Sequence, residues 1–218
     1  MGHAVAIDAS DMPAYANGQK FIYDGGPERK AWSDPDATWG HRSAVSTRKG
    51  GGFYGYKLHM AVCTATGLPL AWNVATARQH ESQTLPELLD AVKDRGFQVE
   101  TCAADRGYDG IPNHVACAAR NVLPVIPRRV DARHKNALPL FADGSRNAPW
   151  IPYHSDKFKT LYKRRSAVER EFGNLKHNFG LAFLRVRGIE RVRLHADLTM
   201  LGRLSLALAR ARAVPLAA

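Results

Sequence analysis

FQVETCAAD, residues 97–105, is an apolar run that ends on an acid, and AVAID, residues 4–8, is built the same way. Short apolar runs of this kind read as buried strands, and a terminal acid reads as the residue that emerges at the edge of the sheet. If the two strands are neighbours and run in the same direction, Asp8 and Asp105 stand side by side. That pairing predicts a mixed α/β sheet rather than a purely antiparallel one.

The remaining elements are arranged around this pair. Residues 9 to about 50 are rich in Gly, Pro, Ser and Asp and read as a long irregular stretch, which is uncommon unless it is functional. YGYKLHMAVC and LPLAWNVA follow, joined by TATG, and read as a hairpin. ESQTLPELLDAVKDRG carries Leu85, Leu88, Leu89 and Val92 at helical spacing and stops at Gly96. IPNHVACAARN is a second helix and VLPVIP a short strand closed by prolines. A connector over about 127–157 leads to a long helix, and an amphipathic helix over about 191–212 is expected to bury Leu194, Leu198, Leu201, Leu204 and Leu208. The order is three strands, helix, strand, helix, strand, long helix, with helices on both faces of the sheet. Its length of 218 residues suits one domain over 1–218.

The formal charge of +11 favours a polyanionic partner. No stretch reads as a membrane span, because the most apolar one is interrupted by Arg203, Arg210 and Arg212. MGHAVAIDAS lacks the basic flank and apolar core of a signal peptide, so a cytoplasmic location is expected. Cys63, Cys102 and Cys117 have neither a disulfide-framework nor a metal-ligand spacing and read as small buried hydrophobes.

YKRRSAVEREFGNLK, residues 162–176, places one central acid, Glu169, among cations. On a continuous helix, Tyr162, Arg165, Glu169 and Lys176 project within one arc about 60° wide. Leu161, Val168, Phe172, Leu175 and Phe179 form the neighbouring apolar stripe that docks the helix. Glu169 is then held near the acid-bearing strands. Asp8, Asp105 and Glu169 make an all-oxygen set that suits Mg²⁺ or Mn²⁺ rather than zinc. Each acid also has a plainer use. Asp105 can cap a turn, Asp8 can begin an Asx-turn, and Arg165 with Glu169 can be an i, i+4 ion pair worth about 0.3–0.5 kcal/mol.

The spacing Tyr162, two residues, Arg165, three residues, Glu169, six residues, Lys176 resembles the signature around the catalytic glutamate of bacterial insertion-sequence transposases with a DDE triad. The resemblance continues in AVAIDAS, SDPDATWG, YGYKLHMAV with TGLPLAW, and AADRGYDG, in the same order. It implies an RNase H-like fold with Asp8, Asp105 and Glu169 as catalytic and metal-holding acids, and two Mg²⁺ or Mn²⁺ ions. Two ions about 3.5–4 Å apart serve the attacking and leaving oxygens of an in-line displacement, so one site serves both DNA hydrolysis and strand transfer. The resemblance further implies double-stranded DNA as partner, a homodimer when assembled on it, and a bacterial protein at the nucleoid when DNA-bound. Tyr162, Arg165 and Lys176 are then DNA contacts, joined by Arg106 and by Arg128 and Arg129 in the connector.

Three departures stand out. The short separation of Asp105 from Glu169 leaves no room for the large β-rich insertion of some relatives. The helical DNA-binding region that usually precedes the first strand is absent, which suits a fragment or the second half of a frameshifted transposase. Glu81, in RQHES at 78–82, stands where relatives often have Asp and reads as a structural acid or one that acts through a neighbour. Two alternatives to the transposase are an RNase H-like nuclease without strand transfer and an inactive DNA-binding remnant whose acids no longer meet.

Overall fold

In a computed structural model, residues 1–16, 33–42, 49–127, 151 and 155–213 are described. The strands are β1 (Ala4–Pro13), β2 (Thr38–Arg42), β3 (Gly51–Cys63), β4 (Pro69–Thr76), β5 (Thr101–Ala104) and β6 (Leu123–Val125). The helices are α1 (Leu85–Asp94), α2 (Ile111–Ala119), α3 (Asp156–Lys163), α4 (Ser166–Asn178) and α5 (Ile189–Ala213). Hydrogen bonding orders the strands β2-β3-β1-β5-β6, with β4 paired to β3. This is the mixed α/β, RNase H-like arrangement expected. The stretch 9–50 is less irregular than its composition suggests, because β1 continues to Pro13 and β2 lies within it.

The described chain falls into two compact units. Met1–Ala9, His59–Trp72 and His80–Phe172 form the first; the second comprises Ser10–Leu58, Asn73–Gln79 and Gly173–Ala218.

In the first unit β1 runs parallel to β5, with Ala4 opposite Thr101 and Ile7 opposite Ala104, and β5 runs parallel to β6. Side chains alternate across the pleat. Val5, Ile7, Cys102 and Ala104 pack with Leu85, Leu88, Leu89 and Val92 of α1 and Cys117 of α2. Ala103 and Val125 pack instead with Phe158 of α3, flanked by Leu161 and Tyr162. The three-stranded parallel segment is thus covered on both faces, as parallel sheets generally are. Helix α1 ends as predicted, with Gly96 at φ +84°, a conformation that favours glycine. The three cysteines are free and buried.

In the second unit β2 pairs antiparallel with β3, Thr38 opposite Gly55 and Arg42 opposite Gly51. Gly55 has φ +158°, and a Cβ there would stand 2.3 Å from the Met12 carbonyl oxygen, so the close approach of the two backbones requires glycine. Asp34 of SDPDATWG is buried, accepting from Tyr56 Oη at 2.6 Å and from Gly188 N at 3.1 Å. Asp36 accepts from Ile189 N at 2.9 Å. These two aspartates satisfy amides at the start of α5.

Two helical expectations are corrected. The helix through Tyr162–Lys176 is not continuous. Arg164 N bonds Leu161 O and Arg165 N bonds Tyr162 O, and Ala167 and Val168 repeat the pattern of bonding three residues back. That tighter winding separates α3 from α4 and takes Tyr162 and Arg165 off the helix that carries Glu169 and Lys176. The apolar stripe survives, with Val168, Phe172 and Leu175 buried. On α5 the buried residues are Val192, Ala196, Thr199 and Met200, whereas Leu194, Leu198, Leu201 and Leu208 are each more than half exposed. The helix docks through a stripe that includes the small Ala196 and Thr199, which permit closer approach than leucines do.

Candidate active site

The register of β1 on β5 builds the site. Ile7 lies opposite Ala104, so the next residue on each chain is an acid, Asp8 and Asp105. By pleat alternation both side chains leave the face that α1 and α2 cover and turn toward that of α3. Asp8 is not at a strand end, since β1 continues past it, but β5 stops at Ala104 and Asp105 opens the 3₁₀ turn Arg106–Tyr108. Asp105 Oδ1 accepts from Gly107 N at 2.6 Å, so the turn-capping use of this acid is real and also holds its carboxylate in place. Asp8 Oδ1 accepts from Ala9 N at 2.8 Å.

The third acid gathered here is Glu81. One carboxylate oxygen each from Asp8, Glu81 and Asp105 lie within 4.8 Å of one another, the only such group of potential metal ligands among the described residues. Glu81 begins the 3₁₀ turn Glu81–Thr84 that leads into α1. Its backbone carbonyl accepts from the buried Thr84 hydroxyl at 2.8 Å, and the same hydroxyl lies 3.2 Å from Nδ1 of buried His59. The signal in the sequence was an acid immediately ahead of a helix whose apolar face packs on the acid-bearing strands.

Glu169 lies outside that group and is about half exposed. It is tied to the group through Arg165, whose guanidinium reaches Glu169 Oε1 at 2.5 Å and Asp8 Oδ2 at 3.0 Å. The i, i+4 ion pair therefore forms and also links the helix to the strand. Arg165 stands over the Tyr162 ring, 5.8 Å from its centroid, and that ring stacks on Phe158.

Beside Asp105 opens a groove of about 780 Å³ lined by Asp105, Arg106, Pro127, Phe158, Lys159, Tyr162, Lys163 and Arg165. Of the residues expected to touch DNA, Tyr162, Arg165 and Arg106 line it. Lys176 is half-buried on α4 in the second unit, and Arg128 and Arg129 lie outside the described residues. Lys159 and Lys163 were missed, although their i, i+4 spacing in KFKTLYKRR marks one helix face.

The electrostatics fit a cation. The Asp8 carboxyl is pushed up to about 7, chiefly by burial and also by the charges of Asp105 and Glu81, against the opposing pull of the Ala9 amide and Arg165. Tyr108 is fully buried and its hydroxyl has no hydrogen-bond partner among the described residues. Burial raises its pKa well above the usual value, and Asp8, Glu81 and Asp105 add to the shift. Three carboxylates held within 4.8 Å of one another repel, and an all-oxygen donor set matches a hard divalent ion. The residues present therefore fit the divalent metal typical of this class of site.

A mixed sheet with parallel acid-bearing strands covered by helices, and carboxylates gathered over one face, defines an RNase H-like nucleic-acid-processing domain. The chain belongs to the transposase DDE domain family, which it matches over residues 2–202. No curated protein matches the sequence. Membership makes this a transposase domain with DNA as its substrate. No helix among the described residues is long and apolar enough to cross a membrane.

Proposed function

We propose that this protein cleaves DNA at transposon ends and joins the exposed 3′-hydroxyl to target DNA, with Asp8, Asp105 and Glu169 as its catalytic acids and Mg²⁺ or Mn²⁺ as cofactor, two ions per site. The observation that carries this reading is the convergence of Asp8 and Asp105 on adjacent parallel strands beside a groove lined with cations. It also speaks against an inactive remnant whose acids have drifted apart.

Bound divalent ions supply Lewis-acid activation and charge neutralisation at the phosphate. The chain's own residues do the rest. Asp8 and Asp105 present fixed carboxylate oxygens, and Glu169 adds a third from α4. Arg165 grips phosphate oxygens with two parallel N–H donors, while Arg106, Lys159 and Lys163 neutralise backbone phosphates along the groove. Tyr162 and Lys176 are further DNA contacts, a reading that the Tyr-Arg-Glu-Lys spacing supports. Two copies pair on DNA so that each transposon end meets one site, in the bacterial cytoplasm at the nucleoid.

The test is a strand-transfer assay with Mg²⁺ or Mn²⁺, using labelled duplexes that carry the element's own ends and a supercoiled target. Joined product that disappears in Asp105→Ala and Glu169→Ala is expected. Hydrolysis without joining would identify a nuclease of the same fold instead. Calorimetry should show weaker Mn²⁺ binding in both variants while circular dichroism stays unchanged; unaltered binding in both would refute the site assignment.

A further inference from the structure

We infer that Arg165 couples cation binding to DNA binding, because the guanidinium that clasps a DNA phosphate is the same one that holds Asp8 and Glu169. This rests on the reading of Asp8, Asp105 and Glu169 as the acids of the cation, and adds a linkage between the two ligands.

The geometry sets up a competition for one side chain. One terminal nitrogen of Arg165 donates to Asp8 Oδ2 at 3.0 Å and the other to Glu169 Oε1 at 2.5 Å. A bidentate grip on phosphate takes at least one of these nitrogens and turns the planar fork toward the phosphate. The groove that DNA enters is lined by Arg165 itself, together with Arg106, Lys159 and Lys163. One half-buried guanidinium therefore serves carboxylates on one side and the groove on the other.

The cation enters the same competition. Asp8 Oδ1 accepts from Ala9 N at 2.8 Å and Oδ2 from Arg165, so the guanidinium is the exchangeable partner of this carboxylate. A divalent ion on Asp8 and Glu169 supplies the positive charge that Arg165 supplies and repels the guanidinium. Arg165 is then free for phosphate. Conversely, a phosphate that draws Arg165 away leaves the two carboxylates with one cation fewer, which favours the ion. Each ligand thus raises the affinity for the other, and linkage makes the effect reciprocal.

The position of Arg165 suits such an exchange. It lies in the tightened turn between α3 and α4, where Arg165 N bonds Tyr162 O, and belongs to neither helix. The Tyr162 ring, 5.8 Å from the guanidinium and stacked on Phe158, also lines the groove, so Arg165 has an aromatic neighbour on the groove side. A brace that only tied α4 to β1 does not require the same guanidinium to border the groove.

Mn²⁺ binding to the DNA-free full chain, followed by electron paramagnetic resonance, tests the linkage in the unaltered protein, Arg165→Gln, Arg165→Lys and Asp105→Asn. Removal of the competing charge should tighten Mn²⁺ in Arg165→Gln by about fivefold or more, the lower end of ordinary coupling between sites. Arg165→Lys, which keeps the charge, should stay closer to the unaltered protein. A guanidinium that merely braces Glu169 gives the opposite sign. Unchanged or weaker Mn²⁺ in Arg165→Gln, with loss in Asp105→Asn, therefore overturns the linkage and leaves the site standing. Unchanged affinity in Asp105→Asn overturns the site itself. The reciprocal measurement is fluorescence anisotropy of a labelled duplex carrying the element's own end, with and without Ca²⁺. Ca²⁺ should tighten DNA binding more in the unaltered protein than in Arg165→Gln, and equal gains overturn the linkage. Should Arg165→Gln fail to fold, the nitrogen-15 resonances of the Arg165 guanidinium in the unaltered protein decide. Mg²⁺ alone should release its hindered rotation, and rotation still hindered at saturating Mg²⁺ overturns the inference.

Discussion

Asp8 concentrates the conflict between folding and chemistry in one side chain. Its carboxyl is raised from 3.8 to about 7, mainly by burial. A group that holds its proton more tightly folded than unfolded stabilises the native state at low pH, and that contribution fades as pH rises from about 4 toward 7. Relative to Asp8→Asn, the unaltered metal-free protein should therefore lose stability across this window, at a slope of at most about 1.4 kcal/mol per pH unit, and run level above it. Denaturant melts at half-unit steps check this, and parallel curves for the two proteins would refute it. At pH 8 Mg²⁺ should restore stability to the unaltered protein by binding only its native state, and EDTA should remove the gain. The two aspartates were legible because each ends an apolar run. Glu81 stood out only by resemblance, and its approach to the two aspartates did not, because no periodicity marks where a turn ahead of a helix will aim its first side chain.

The helices show how far pattern alone reaches. Helix α1 was read correctly because Leu85, Leu88, Leu89 and Val92 leave one possible buried face. Helix α5 offers two candidate stripes, and the one richer in leucine is exposed. Met200→Ala should cost about 2–5 kcal/mol, as truncation of a buried side chain does, while Leu198→Ala should stay within about 0.5 kcal/mol. Comparable losses in chemical denaturation would show that the exposed stripe is packed. The break between α3 and α4 left no trace in composition either, since Arg164, Arg165 and Ser166 are all acceptable within a helix. Its consequence is chemical, because Arg165 sits in the tightened turn and reaches Asp8 as well as Glu169.

At the scale of the molecule, the charge of +11 matches a DNA partner, and Arg106, Lys159, Lys163 and Arg165 place part of that charge in one groove. Each phosphate neutralised releases counterions and steepens the salt dependence of binding. Lys163→Ala and Lys176→Ala should each lower DNA affinity and reduce the slope of log K against log salt by about 0.9. Fluorescence anisotropy between low and moderate salt measures this, and an unchanged slope removes that lysine from the interface.

By itself the sequence determined the class of fold, the acids that close the two apolar runs, the single apolar face of α1, and the basic character that suits DNA. All of these follow from local periodicity and charge, which survive in one dimension. Tertiary structure alone decided that Glu81 completes the acidic group, that Arg165 stands between Asp8 and Glu169, and which stripe of α5 is covered. Those outcomes depend on how separate elements meet, and the free energy of burial and like-charge repulsion is set only when they do.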